Sequence, residues 1–387
     1  MRICAVGWYG TETIGDRAIF AGVLHIFNFF EGNIDVRLGS LYPFYSHRML
    51  MEDTPLYEKL TNKKIQIDIF NSSCEDELKK NIFQSDLVIV AGGPLMDLDE
   101  MYMLRYAFRY AKKKNKKCLI AGCGVGPLFR EEYQRCLLDI VSMSDGVIFR
   151  DAVSKKSLMQ IADKFQFHID GACLETAIDP AVICAYKYKE CMDTPVEQKY
   201  IAINFRDFPM EYIKSTMFNK YNVIDFVKKM LEEIRHSFNE DMLLVPMHYF
   251  CVGNDDRYFL NKLAMQLHMK NVYVQNVPLS LQETMDVYAA ATLDVGMRFH
   301  SVVLQTILNG NNYIVDYTEP KKGKIFGFLQ DIDQTNFYCS RCVNLQDSDV
   351  QMLKFDKEKA KFSQSCISAY YEQGLNKYLN VIRKVIS

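Results

Sequence analysis

Short apolar runs alternate with stretches of helical period from the N-terminus onward. Ile3–Val6, Ile65–Phe70, Leu87–Ala91, Cys118–Ala121 and Gly146–Phe149 read as buried strands. Between them Asp16–Phe30, Met101–Lys114 and Glu131–Met143 place apolar residues on one helical face. This alternation predicts a parallel sheet with helices on both faces. Lys187–Lys199 is polar, contains Pro195 and shows no period, so it reads as a linker. The alternation then restarts. Tyr200–Asn204, Met242–Val245, Val272–Gln275, Leu293–Gly296 and Tyr313–Asp316 are the second set of strands. Asn222–His236, capped by Asn222, with Asp255–Met269, Leu281–Ala291 and Ser301–Leu308, are the second set of helices. Asp356–Val385 is a last amphipathic helical stretch with room for one break. The expected architecture is α/β, with two Rossmann-like domains facing across a cleft. Their expected bounds are 1–187 and 200–355, followed by a helical segment, 356–387.

Composition narrows the class. The chain has 387 residues, with 46 basic and 48 acidic side chains and a net charge of −2. Two domains suit that length. Hydrophobic residues at 49% exclude wholesale disorder. The near-neutral balance speaks against a nucleic-acid partner. No run reaches the roughly 18–20 apolar residues that span a bilayer, and the first run is too short for a signal peptide. A cytoplasmic protein is expected, with peripheral contact at the inner face of the membrane left open. Phe27, Phe29, Phe30, Tyr42, Phe44 and Tyr45 are either a docking patch for such contact or packing residues. The twelve cysteines are scattered, several in apolar runs. Cys339-Ser-Arg-Cys342 is a lone CxxC with no second ligand pair, so no metal site is expected.

In open α/β sheets, ligands bind beyond the carboxyl ends of the strands. Gly7-Trp-Tyr-Gly10-Thr-Glu-Thr-Ile-Gly15-Asp16 follows the first strand and opens a helix. It is neither GxGxxG nor a P-loop. Asp16 is a helix-capping carboxylate, or an acid/base group or acceptor for a sugar hydroxyl. Gly92-Gly93-Pro94 and Gly122-Cys-Gly124-Val-Gly126-Pro127 follow two further strands. Together the three loops, with Gly10, Gly15, Gly93 and Gly124, suggest a wall with few bulky side chains that suits a sugar. Arg150 either forks an anion or pairs with Asp151. Arg206 closes another strand. His248 is a ligand-facing histidine or one bound to loop backbone. Lys324, in Lys321-Lys322-Gly323-Lys324, is a cation for the site or part of a solvated turn. The most informative segment is Met297-Arg298-Phe299-His300-Ser301, where a strand gives way to a helix. There a cation, an imidazole and free backbone N–H groups can meet one anion.

The ordered series resembles the polysaccharide pyruvyl transferase family from Gly7 to about Phe328. It comprises Gly15-Asp16, Gly92-Gly93, Gly124-Val-Gly126-Pro127, Arg150-Asp151-x-x-Ser154, Pro246-Met-His248 with Asp255-Asp256, and Arg298-Phe-His300. Thr13 and Pro94 depart from the family's usual Asn and Gly. The resemblance implies a GT-B-like fold whose C-terminal helix returns to the N-terminal domain. It implies transfer of a pyruvyl group from phosphoenolpyruvate to two hydroxyls of a sugar in a bacterial surface glycan or its lipid-linked precursor, making a cyclic ketal. The first domain would be the acceptor side and the second the donor side. No cofactor is implied; phosphoenolpyruvate is a co-substrate. Arg298 and His300 would bind the donor, with Arg150 and Asp16 also in the site. His300, Asp16 and Arg298 are the catalytic candidates, and Arg206, His248 and Lys324 are added for binding. The competing readings are a GT-B glycosyltransferase using a nucleotide sugar and a non-catalytic glycan-binding protein.

Overall fold

The computed structural model describes residues 1–193, 198–207, 220–250, 252–267, 269–347, 353–356 and 359–387, with backbone alone at 172 and 220–223. Pro195 of the expected linker lies outside them, as does the Asn222 side chain. The chain divides into two units. Unit 1 holds residues 1–12, 16–191 and 369–387, and unit 2 holds 13–15 and 192–368. The first boundary thus falls at Cys191/Met192. The C-terminal segment divides at 368/369, later than the expected 355/356.

Unit 1 is an alternation of strands and helices. In chain order these are β1 (Arg2–Val6), α1 (Ile14–Phe27), β2 (Ile34–Ser40), α2 (Pro43–Thr61), β3 (Ile65–Asn71), α3 (Glu75–Gln84), β4 (Leu87–Ala91) and β5 (Pro94–Leu95). They continue with α4 (Glu100–Lys113), β6 (Lys117–Val125), α5 (Glu131–Ser142), β7 (Gly146–Phe149), α6 (Ala152–Lys164), β8 (Leu174–Thr176) and α7 (Pro180–Cys191). The strands are parallel in the order β3-β2-β1-β4-β6-β7-β8, with β5 against β6. Their near-continuous apolar runs are what burial on both faces requires. One face packs Val88, Val90 and Ile120 against Leu104, Phe108 and Leu137. The order reverses at β1/β4, where the two glycine loops leave the sheet.

The strand pattern did not reveal β2 and α2. The inward face of α2 includes Ser46 and Asp53 beside Met49, Leu56, Tyr57 and Leu60. Asp53 is there because Arg17 of α1 is buried and needs carboxylates. Arg17 pairs with Glu12 at 3.0 Å, Glu52 at 2.7 Å and Asp53 at 3.3 Å, and Arg48 also binds Glu12. A helix that buries a polar network loses the apolar stripe by which a sequence betrays it. Of the expected aromatic patch, Phe27 is buried, Phe29 and Tyr42 are about half exposed, and Phe44 is 76% exposed.

Unit 2 repeats the plan. Its elements are β9 (Tyr200–Asn204), α8 (Lys220–Ser237), β10 (Asp241–Leu244), α9 (Asp256–Leu267), β11 (Val272–Val274), α10 (Leu281–Ala290) and β12 (Leu293–Gly296). They are followed by α11 (Phe299–Leu308), β13 (Asn312–Asp316), α12 (Lys324–Ile332) and β14 (Cys342–Asn344). The start of α8 at Lys220 places Asn222 inside the helix, so it is not the cap. The parallel order β11-β10-β9-β12-β13-β14 is the doubly wound arrangement, reversing at β9/β12. Ile201, Ile203, Met242, Leu244, Val295 and Leu231 are among its core residues.

The last helix, α13 (Gln364–Ile386), begins in unit 2 and from Ala369 onward belongs to unit 1. Tyr378 is fully buried there and donates its hydroxyl to the Ile178 carbonyl at 2.7 Å. Among the described residues no helix is long and apolar enough to cross a membrane. Replacing Tyr378 by Ala should destabilise unit 1 by about 3–5 kcal/mol through the cavity and the orphaned carbonyl. Urea unfolding followed by circular dichroism checks this; an unchanged midpoint contradicts the packing.

Candidate functional site

The reversal point of a doubly wound sheet leaves a crevice at its carboxyl edge. In unit 2 that edge carries Asn204 and Arg206 after β9, and Arg298 after β12. Asn204 is fully buried and works in both directions. Its Nδ2 donates to the Val245 carbonyl at 2.9 Å, and its Oδ1 accepts the Arg298 backbone N–H at 3.0 Å. Ser301 Oγ lies 2.9 Å from the same Oδ1. The start of α11 is thereby fixed to the end of β9. Arg298 is the N-cap of α11 and supplies no side-chain cap. The helix starts at Phe299, two residues earlier than expected, which puts His300 in its first turn.

The Arg298 guanidinium is held by Asp256. Nε donates to Oδ2 at 2.7 Å and Nη2 to Oδ1 at 2.6 Å. This leaves Nη1 with no hydrogen bond among the described residues. The Asp256 Oδ2 also accepts the backbone N–H groups of Met247 at 3.0 Å and His248 at 3.2 Å. One carboxylate therefore orients both the arginine and the His248 loop. His248 is 9% exposed, and its ring packs against Gly253.

Residues 13–15 cluster with this unit. Ile14 N–H donates to the Met247 carbonyl at 3.0 Å, and Thr13 forms an antiparallel bridge with His248. Gly15 lies against the His300 ring: a Cβ there would come 1.9 Å from Nδ1 and 2.4 Å from Cγ. The glycine is needed so that the imidazole can sit where it does.

Lys324 is the first residue of α12, whose N-cap Gly323 likewise has no side-chain cap. Its Nζ lies 5.8 Å from the Phe299 ring centroid, and that ring meets His300 edge-on at 5.0 Å. Arg206 Nη1 lies 3.4 Å from the Tyr317 hydroxyl, with the guanidinium carbon 5.5 Å from its ring. The charges of Lys324, Arg206 and Arg298 all act on Tyr317. They draw its phenol below the usual range although burial pushes the other way. Tyr317, the residue following β13, was not among the expected site residues. Its signal in the sequence is only its place at a strand's carboxyl end beside the lysine turn. Asp316, before it, accepts the Thr318 N–H at 2.8 Å and hydroxyl at 2.7 Å. Burial pushes its pKa up to about 6 against those bonds and the Lys324 charge.

The remaining expected site residues lie in unit 1. Arg150 is buried between Asp151, at 3.5 Å, and Asp179, at 3.2 Å. Of its two readings, the structural pair is present. Asp151 additionally caps α6 through the Ser154 N–H. Asp16, in the first turn of α1, accepts the Thr11 hydroxyl at 3.2 Å. Gly10, Gly93 and Gly124 do not form an open wall. Added Cβ atoms would strike Ser40 and Tyr42 backbone at Gly10, the Trp8 indole at Gly93, and the Arg150 guanidinium at Gly124. The unit also has a cavity of about 390 Å³ at the carboxyl ends of β2 and β3, lined by Ser72, Glu75, Asp99, Glu100 and Tyr106 among others. No cluster of three metal-ligating side chains occurs among the described residues.

Two doubly wound parallel-sheet units define a GT-B-like fold. Solved structures with this fold align over the whole chain. The Methanocaldococcus jannaschii UDP-GlcNAc 2-epimerase in complex with UDP-GlcNAc and UDP has a TM-score of 0.52 at 11% identity, covering 100% of this chain and 93% of its own. The N-terminal domain of Candida albicans trehalose-6-phosphate phosphatase gives 0.52 at 12%, covering 100% and 96%. The UDP-GlcNAc 2-epimerase from Neisseria meningitidis bound to UDP-GlcNAc gives 0.50 at 12%, covering 100% and 99%. These identities establish the fold alone. No curated protein matches the sequence. The family profile of polysaccharide pyruvyl transferases matches residues 14–319, and the chain belongs to that family.

Gly15→Ala should force the His300 ring aside, at about 1–3 kcal/mol in stability. The His300 resonances in an NMR spectrum should move while those of the other histidines hold; an unmoved His300 contradicts the close approach. Asp316→Asn tests the buried carboxyl. A carboxyl with a folded pKa near 6 and an unfolded value near 3.8 holds its proton more tightly in the folded state. Its contribution is full below about pH 4 and is lost as pH rises through 6. The variant, which keeps an oxygen for Thr318, should gain on the wild type by on the order of 3 kcal/mol between pH 4 and 7. Parallel stability curves in urea over that range would exclude it.

Proposed function

We propose that the protein transfers a pyruvyl group from phosphoenolpyruvate to two hydroxyls of one sugar, with the donor bound in unit 2. The observation that carries this is the Arg206 contact with Tyr317 at the carboxyl edge of the unit 2 sheet, where the charges of Lys324 and Arg298 also act on that phenol. Phosphoenolpyruvate carries a carboxylate and a phosphate on a three-carbon frame. Several cations, with the helix starts of α11 and α12, match that density of charge. His300, in the first turn of α11, binds the donor as well. The GT-B-like fold and the family support the sugar acceptor.

The reaction begins with protonation of the methylene carbon, which makes C2 electrophilic. A sugar hydroxyl adds to C2 and the phosphate leaves with the electrons of its C–O bond. A second hydroxyl closes the ketal. One hydroxyl proton balances the one taken up by the methyl group, and the other leaves with phosphate. Asp16 is proposed as the base on a sugar hydroxyl. Unit 1 is proposed as the acceptor side. The carboxylates lining its cavity disfavour anions and offer hydrogen-bond acceptors to a neutral polyol. The acceptor is a surface glycan or its lipid-linked precursor, met at the cytoplasmic face of the membrane.

Phosphate release with phosphoenolpyruvate and a panel of lipid-linked sugars, with the ketal read by mass, tests the proposal. His300→Ala and Arg298→Lys should each lower release about 100-fold or more with the fold retained. Lysine is chosen because alanine would leave the Asp256 carboxylate buried without its partner. Near-normal release would exclude these roles. Thermal stabilisation by UDP-sugars and none by phosphoenolpyruvate would favour glycosyl transfer.

A further inference from the structure

We propose that Tyr317 is the proton donor to the methylene carbon of the bound enol phosphate. This rests on the pyruvyl-transfer reading of unit 2 and gives the acid role to a residue that the strand pattern did not single out. The placement is specific. Tyr317 follows β13 at the carboxyl edge of the sheet and is 1% exposed. Its carbonyl accepts Gln346 Nε2 at 2.7 Å, and the next residue, Thr318, is tied to Asp316, so its backbone is fixed from both sides. Its hydroxyl lies 3.4 Å from Arg206 Nη1.

The charged groups around the phenol come from five elements. Arg206 follows β9, Arg298 caps α11 and Lys324 opens α12. Asp256 of α9 offsets one of these charges by its pair with Arg298. Asp316 of β13 faces Lys324, and its carboxyl is occupied by Thr318. The excess is cationic, so the phenol is a stronger acid than an ordinary tyrosine, and the phenolate left behind is held by the same cations. Protonating an alkene carbon needs that acidity. An imidazole packed against Gly15 already has a role in orienting the donor.

In the step, the Tyr317 O–H bond breaks and the proton goes to the methylene carbon. The π pair becomes the new C–H bond, and C2 is left electron-poor, stabilised by the bridging phosphate oxygen. The first sugar hydroxyl adds to C2 and its proton goes to water. Phosphate leaves with the C–O pair, and the second hydroxyl closes the ketal while its proton joins phosphate. The phenolate then regains that proton from water, so the enzyme returns to its starting state.

Tyr317→Phe removes the proton and little else. It should retain phosphoenolpyruvate affinity within about 3-fold, by thermal shift, and lose about 10³-fold in single-turnover phosphate release. Fluorotyrosine at position 317, a stronger acid, should restore release and move the alkaline limb of its pH profile downward, which a merely structural role would not do. Without any donor, a 295 nm titration should show one tyrosine of the wild type ionising before the rest. That step should be absent in Tyr317→Phe and raised by inorganic phosphate. Full release by Tyr317→Phe, or an alkaline limb that fluorination does not move, overturns the assignment while leaving pyruvyl transfer standing. Absence of phosphate release from the wild type overturns the reading of the site itself and the donor role with it.

Discussion

The Asp256 carboxylate accepts four hydrogen bonds, two from the Arg298 guanidinium and two from the Met247 and His248 backbone. It is almost wholly buried, so its charge is stable only because those donors are present. The arrangement ties the start of α9, the loop after β10 and the cap of α11 into one piece. Asn204 adds the end of β9 through the Arg298 N–H and the Val245 carbonyl. The Arg298 side chain thus has its rotamer set before any ligand arrives, and the donors of Nη1 are aimed without an entropy loss on binding. A buried charge pair adds little net stability, but breaking it costs about 3–5 kcal/mol, so the geometry is defended.

Unit 1 is organised by the converse arrangement, a buried cation among carboxylates. Arg17 meets Glu12, Glu52 and Asp53, and its own charge is favoured by them despite burial. Glu12 holds a left-handed backbone, φ +60°, that a non-glycine residue adopts at some expense. Its two arginine partners hold it there. This is the part of the fold least legible in the chain. Strands such as Leu87–Ala91 and Gly146–Phe149 announced themselves because both of their faces are apolar. Helix α2 did not, because Asp53 and Ser46 face inward. Tertiary ion pairing overrides the hydrophobic period, and that pairing joins positions up to 36 residues apart with no local mark.

The glycines show a second limit. Their positions after β1, β4 and within β6 correctly mark close approach, but a sequence does not say what approaches. Gly93 gives way to Trp8, Gly124 to Arg150 and Gly15 to His300. Only the last of these bears on the unit 2 site, and it does so by admitting a side chain. The Arg298-Phe-His300 segment was legible for a different reason. Its chemistry lies in consecutive residues at a strand-to-helix junction, so local pattern and site coincide. Tyr317 became visible only through residues about 20 to 110 positions earlier and Lys324, which topology brings to one edge.

Arg150 and Arg298 are the same residue type after similar strands, and the difference between them is the number of carboxylates they meet. Arg150 lies between two, Asp151 and Asp179, inside its unit. Arg298 meets one, which engages Nε and Nη2 and leaves the outer nitrogen. A net charge of −2 is therefore no guide to the local field. Around Tyr317 three cations stand against Asp256 and a carboxyl, Asp316, that burial pushes toward its neutral form. The field there is positive because the fold withholds counter-charge at one sheet edge, while unit 1 encloses its own cations in acid. The two units thus differ in the charge left around their buried groups. That asymmetry follows from where the acidic side chains fall in the fold, more than from any surplus of basic ones.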